Sequence, residues 1–179
     1  RAAKVKRAVF ASSSSVYGNT DRLPLREDQP LAPISPYALS KLSGEEYCQL
    51  FSRSFGLETV GLRYFNVFGP RQSLENEYAV VVPKFITCVL RGESPPVHGD
   101  GLQSRDFTYI DNVAEATIQA CTAPGVSGEV FNIACGEVHT VLELLKEINR
   151  IAGSSIAPTF TPPRPGDVHK TAAAITKAA

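Results

Sequence analysis

Tyr37 and Lys41 stand four residues apart in Ser35-Pro36-Tyr37-Ala38-Leu39-Ser40-Lys41. On a helix those positions share one face, so the lysine nitrogen can lie close to the phenol oxygen. A free tyrosine has a pKa of about 10, and acting as a base near neutral pH needs a shift of roughly three units, or about 4 kcal/mol. Nearby positive charge shifts a phenol in that direction. The chemistry that suits this spacing is proton abstraction, although an isolated Tyr-x-x-x-Lys is also what an ordinary amphipathic helix carries. A second cluster, Ser12-Ser13-Ser14-Ser15 before Val16-Tyr17-Gly18, sets several hydroxyls behind a short apolar run. Open α/β sheets hold their ligands at the carboxyl ends of strands, which is where those hydroxyls would fall; a plain serine-rich turn is the other reading.

The elements that must position these groups follow from pattern. Arg7 to Ser12 reads as a buried strand and Asn19 to Pro36, polar and proline-rich, as a loop. Ser35 suits an N-cap and Pro36 the first helical position, with Leu39, Leu42, Tyr47, Leu50, Phe51 and Phe55 following at mostly helical spacing. Glu58 to Phe65 is expected as the next strand and Asn66 to Arg71 as the turn that leaves it. Strand, helix, strand predicts a parallel sheet. Past a surface loop at Glu75-Asn76-Glu77, a helix is expected over Val80 to Leu90, with short strands over Pro95 to Val97 and Arg105 to Ile110. A helix capped by Asp111 should run to about Cys121, followed by a strand over Gly128 to Ala134. Thr140 to Ile151 reads as a periodic helix burying Val141, Leu144, Leu145, Ile148 and Ile151. Thr159 to Thr161 is expected as an edge strand, and the last ten residues as the opening of another helix.

Length and composition bound the rest. A chain of 179 residues is long enough for one domain or somewhat more. Lysine plus arginine balance aspartate plus glutamate at 18 each, so no global field favours nucleic acid or an anionic membrane as partner. Cys48, Cys88, Cys121 and Cys135 lack metal-ligand spacing and read as reduced core residues, which suits a cytoplasmic location; no metal site is expected. No apolar run is long enough to span a bilayer. The chain begins at Arg1 and contains no methionine, so it is expected to be a piece of something longer.

Five ordered motifs add a family likeness. They are Ala11-Ser-Ser-Ser-Ser-Val-Tyr-Gly18, Ser35-Pro-Tyr-Ala-Leu-Ser-Lys41, Leu62-Arg-Tyr-Phe-Asn-Val-Phe-Gly-Pro70, Arg105-Asp-Phe-Thr-Tyr-Ile-Asp111 and Arg164-Pro-Gly-Asp167. In that order they resemble the extended short-chain dehydrogenase/reductases that act on nucleotide sugars, and most of all the UDP-hexose 4-epimerases. The resemblance implies an α/β fold: the second half of a Rossmann-type parallel sheet that holds NAD, plus a smaller α/β domain for the nucleotide sugar. Residues 1–72, with further Rossmann elements near 105–135, would form the first, and 73–104 with 136–179 the second. The glycine-rich fingerprint that holds the NAD pyrophosphate lies upstream in such proteins and is not in this chain.

Carried over by the same resemblance, Tyr37 is the catalytic base, Lys41 its helper and Ser13 the catalytic hydroxyl. Tyr37 and Lys41, together with Tyr64, would also contact NAD. Ser13 would touch the sugar, and Asn66, Arg105, Arg164 and Asp167 would bind the UDP diphosphate and ribose. Thr171 would line the pocket beside the sugar C2 substituent. The family likeness also implies a homodimer formed through the Tyr37 helix and the one before it; with the early strands missing, the exposed apolar edge and helix face lead to the expectation that the isolated chain binds NAD weakly or not at all and self-associates. Related 4,6-dehydratases and glucuronate decarboxylases carry carboxylates where this chain has Ser14 and Ser15, which argues against elimination or decarboxylation. UDP-glucuronate 4-epimerases share the four-serine run and stand second, departing at Arg71-Gln72-Ser73. A reading of a different class is a non-catalytic nucleotide-sugar-binding fragment, or half of a split protein.

Overall fold

The apolar run after Arg7 forms β1 (Arg7–Ser13), and the serines that follow make a single 3-10 turn over Ser14–Tyr17. The computed structural model describes residues 4–74, 81–164 and 168–179. α1 (Pro36–Phe55) starts as its sequence dictates: Ser35 Oγ accepts from the Ala38 N–H at 3.1 Å, and Pro36 occupies the first turn, where its missing N–H costs nothing. It stops at Gly56, whose φ of 64° is the left-handed conformation that glycine adopts without penalty. β2 (Glu58–Tyr64) and β3 (Val67–Phe68) follow, then α2 (Val81–Arg91), β4 (Pro96–His98), β5 (Ser104–Arg105) and β6 (Thr108–Tyr109). The chain continues through α3 (Ile110–Thr122), β7 (Glu129–Ile133), β8 (His139–Thr140), α4 (Val141–Ala152) and β9 (Thr159–Thr161).

β1, β2 and β7 form a parallel three-stranded sheet in that order, the Rossmann-type arrangement that the strand–helix–strand pattern implies. Successive side chains of a strand point to opposite faces. Arg63 reaches Glu45 of α1, and its neighbour Tyr64 reaches Thr117 of α3, so the two helices cover opposite faces of the sheet. On the α3 side, Val60, Leu62, Val113, Ala120 and Ile133 make a buried apolar core. A fully buried valine, leucine or isoleucine of this kind contributes about 1.5–3 kcal/mol. A separate cluster of Phe85, Val89, Val97, Val141 and Leu145 joins α2, α4 and β4, and β9 pairs with β4 in parallel. Among the described residues no helix is long and apolar enough to cross a membrane.

Four expectations are corrected. The last ten residues do not open a helix: 170–175 are extended, with the Leu25 N–H donating to the Ala172 carbonyl at 2.7 Å and the Ala174 N–H donating back to Leu25 at 2.8 Å, and a single turn closes on the Ile175 carbonyl, which accepts from Ala178 and Ala179 at 3.0 and 3.2 Å. These long-range bonds satisfy the backbone groups that a helix would have used. α3 begins at Ile110, so Asp111 sits inside its first turn instead of capping it. Ile151 is 72% exposed, because α4 buries only the stripe through Val141 and Leu145. The four cysteines are free, but none is fully buried, and Cys121 and Cys135 are exposed.

Candidate active site

Ser13, Tyr37 and Lys41 come from the carboxyl end of β1 and the first two turns of α1. Lys41 Nζ donates to the Ala11 carbonyl at 2.9 Å and lies 5.6 Å from the centre of the Tyr37 ring and 5.5 Å from that of Phe10. One of the three ammonium donors therefore ties the helix to the strand end, and the charge rests beside the phenol. Tyr37 is 40% exposed. Ser13 caps the serine turn by accepting from the Ser15 N–H at 3.2 Å, which leaves its own proton to donate. Directly opposite Ser13 in the β1–β2 register stands Tyr64, whose hydroxyl is within 2.8 Å of Thr117 Oγ1 on α3.

A second grouping forms where β2 ends. Asn66 adopts a φ of 29°, a conformation asparagine tolerates better than most residues, and its amide donates to Thr171 Oγ1 at 3.1 Å and to the Asp106 carbonyl at 3.2 Å. Thr171 is thus part of an extended segment rather than the cap of a terminal helix. Its N–H donates to Ser104, and Arg105 Nη1 donates to the Ser104 carbonyl at 2.9 Å and to the His169 carbonyl at 3.4 Å, so Arg105 borders the same segment. Arg164 is exposed in the stretch after β9, and Asp167 lies outside the described residues.

Beneath both groupings are buried polar side chains that motif reading missed. Glu45 and Arg63 form an ion pair with side chains 1% and 4% exposed, joined by two hydrogen bonds of 2.7 and 3.0 Å. Ser12 donates to the same Glu45 carboxylate, and Arg63 Nη1 donates to Tyr17 Oη at 2.8 Å. Tyr17 donates in turn to Asn132 Oδ1 on β7 at 2.7 Å, and Asn132 holds the carbonyls of Leu25 and Ala174. Burial raises the Tyr17 pKa despite the opposing pull of Arg63. Burial alone would lower that of Arg63, but its hydrogen bonds to Glu45 and the nearby Tyr17 outweigh it and keep the guanidinium charged. Asp106, fully buried, accepts from the N–H groups of Cys135, Gly136 and Ala173 at 2.9, 3.0 and 3.4 Å; burial raises its pKa even so. The signal for these residues was present in the sequence: a charged side chain inside an apolar strand, as at Arg63, must find a partner. Among the described residues no group of three or more His, Cys, Asp or Glu side chains could hold a metal ion.

A parallel sheet carrying a Tyr-x-x-x-Lys helix beside a serine turn at its carboxyl edge is a Rossmann-type α/β arrangement. The profile of the NAD dependent epimerase/dehydratase family matches residues 1–134, and the chain belongs to that family. It is 36% identical over 171 residues to the UDP-glucose 4-epimerase of Mycolicibacterium smegmatis, covering 95% of this chain and 54% of that protein. The UDP-N-acetylglucosamine 4-epimerase of Methanobrevibacter ruminantium, solved with UDP-N-acetylmuramic acid, superposes with a TM-score of 0.92 at 44% identity, over 96% of this chain and 55% of that one. The UDP-glucuronic acid 4-epimerase of Bacillus cereus, solved with UDP-glucuronic acid and NAD, gives 0.89 at 36% identity, over 98% and 55%. The chain spans about half the length of the curated relatives it matches.

Proposed function

We propose that the whole protein interconverts the C4 epimers of a UDP-hexose with NAD, and that this chain carries the catalytic residues and much of the sugar-nucleotide site. The observation that carries the reading is the Tyr37–Lys41 pair, with the ammonium 5.6 Å from the phenol ring and tied to the carboxyl end of β1 beside Ser13. The residues present fit the nicotinamide end of the cofactor, because parallel strands end together there and, among the described residues, Lys41 donates one hydrogen bond of the three its ammonium can make. Lys41 and Tyr64 would hold it. When bound, it supplies reversible acceptance of hydride from the sugar C4.

In this mechanism Tyr37 Oη takes the proton of the sugar 4-hydroxyl as C4 is oxidised, while Ser13 donates a hydrogen bond to the same oxygen. When C4 is reduced again, Tyr37 would return the same proton to that oxygen, with Ser13 still holding it. Lys41 keeps positive charge beside the phenolate form. Arg105, Arg164, Asn66 and Asp167 hold the UDP moiety; an arginine fork suits phosphate oxygens because it makes paired charge-assisted bonds. On this reading residues 1–72 with 105–135 belong to the cofactor unit and 73–104 with 136–179 to the sugar-nucleotide unit. The apolar side chains that α1 exposes, Leu39, Tyr47, Leu50 and Phe51 among them, support a homodimer through that face.

The finer proposal concerns the sugar. Thr171 is small, which would leave room for an acetamido group at C2, and its hydroxyl, oriented by Asn66, offers a polar atom to meet it. The protein would then turn over UDP-GlcNAc and UDP-GalNAc at least as well as UDP-Glc and UDP-Gal. The likeness to a UDP-glucuronic acid 4-epimerase makes UDP-glucuronate the competing substrate. Tyr37→Phe in the full-length protein tests the core of the reading. It should leave UDP-sugar affinity within about twofold and remove 10²–10⁴-fold of turnover, the usual share of a general base. Turnover at the wild-type rate would refute it.

A further inference from the structure

The serine turn and the Tyr-x-x-x-Lys helix belong to different elements, yet the proposed chemistry needs Ser13 and Tyr37 to meet at one sugar oxygen. Lys41 ties the helix to Ala11, but through a long and flexible side chain. The stiffer connection lies one layer below. Glu45 is four residues past Lys41, on the same face of α1, and its carboxylate receives Ser12, the immediate neighbour of Ser13. Arg63 clamps that carboxylate through a two-bond fork and donates as well to Tyr17, at the far end of the serine turn. One buried pair thus grips the turn on both sides of Ser13 and the helix one turn beyond Lys41.

We propose that the Glu45–Arg63 pair, with Ser12 and Tyr17 as its two arms, is a positioning device that sets Ser13 against Tyr37 and Lys41. This rests on the proposed epimerase reading. A buried ion pair is a poor source of net stability, since well-packed apolar residues often do as well. Its fork geometry, however, fixes direction and distance in a way that apolar packing does not. The neighbouring contacts agree: Phe10, between Ser12 and the base of the sheet, fills the notch left by Gly44, so α1 lies close against β1 at this point.

The test uses the full-length protein and three variants, Glu45→Gln, Ser12→Ala and Tyr17→Phe, none of which touches a reacting atom. Two readouts are taken: kcat and KM for UDP-hexose epimerisation, and hydrogen exchange of the peptides spanning 11–17 and 36–42. Glu45→Gln should lower kcat at least tenfold with KM within twofold, and speed exchange in both peptides together. Ser12→Ala and Tyr17→Phe should each lower kcat several-fold, with little further loss when combined with Glu45→Gln. They carry the test if Glu45→Gln does not fold. A lower melting temperature with unchanged kcat, or faster exchange in one peptide only, overturns the proposal. If the wild type turns over no UDP-hexose, the epimerase reading fails, and exchange alone judges the device: joint loosening of both peptides upholds it and independent behaviour overturns it.

Discussion

Gly44→Ala asks how tightly α1 is seated on β1. In an exposed helix interior the change should stabilise, because glycine is about 0.8–1 kcal/mol less favourable than alanine. Here a Cβ at residue 44 would stand 2.8 and 2.7 Å from Phe10 Cε2 and Cε1, and closer still to Cζ. Phe10 cannot easily withdraw, since its ring lies between the helix and the strand with the Lys41 ammonium 5.5 Å from its centre. Overpacking of this kind costs about 1–3 kcal/mol, so the net effect should be a destabilisation of up to about 2 kcal/mol. In a Phe10→Leu background the obstructing ring is gone and only propensity remains. The same Gly44→Ala change should then stabilise by about 0.8–1 kcal/mol, a reversal of sign. Urea unfolding followed by circular dichroism reads this as midpoint shifts of roughly half a molar in opposite directions at constant slope, taking a slope near 2 kcal/mol/M. Additive effects in the two backgrounds, with a coupling below about 0.5 kcal/mol, would refute the close seating.

Two further outcomes follow from the second grouping. Thr171→Tyr should cut kcat/KM for the N-acetylated UDP-hexoses while sparing the plain ones, by filling the space beside the C2 substituent; undiminished activity on the acetylated sugars removes Thr171 from the pocket. Asp106 gives a pH dependence. Its carboxyl holds its proton more tightly folded than unfolded, so its contribution to stability is greatest below the ordinary aspartate pKa of 3.8 and falls as pH rises through the higher folded value. Asp106→Asn should abolish that decline, and denaturation midpoints measured from pH 4 to 7 check it; a mutant profile parallel to the wild type would contradict the assignment.

What could be read from the sequence was local, and what could not was remote. Ser35 with Pro36 announces α1, and Thr140 with Glu143 forms the reciprocal capping box that opens α4, because each signal closes within one turn of chain. The strands that carry Ser13 and Tyr64 were legible for the same reason: their apolar runs are continuous, as expected of a sheet covered on both faces. The fate of the last ten residues was not legible. They are held by Leu25, Ser104 and Asp106, between 67 and about 150 residues away, and no local pattern reports such partners. α1 is the instructive case. Its periodic apolar residues, Leu39, Tyr47, Leu50, Phe51 and Phe55, are exposed, while the side it buries carries Ala38 and a glutamate. A periodic stripe says that a helix has an apolar face, and the identity of the surface that covers it is a separate fact. Glu45 would be an error on a buried face unless something answered it, and Arg63, equally out of place in its strand, is that answer. Two residues that each break a local rule therefore identify one another, and their meeting point lies under the serine turn and the tyrosine helix that the proposed chemistry must hold together.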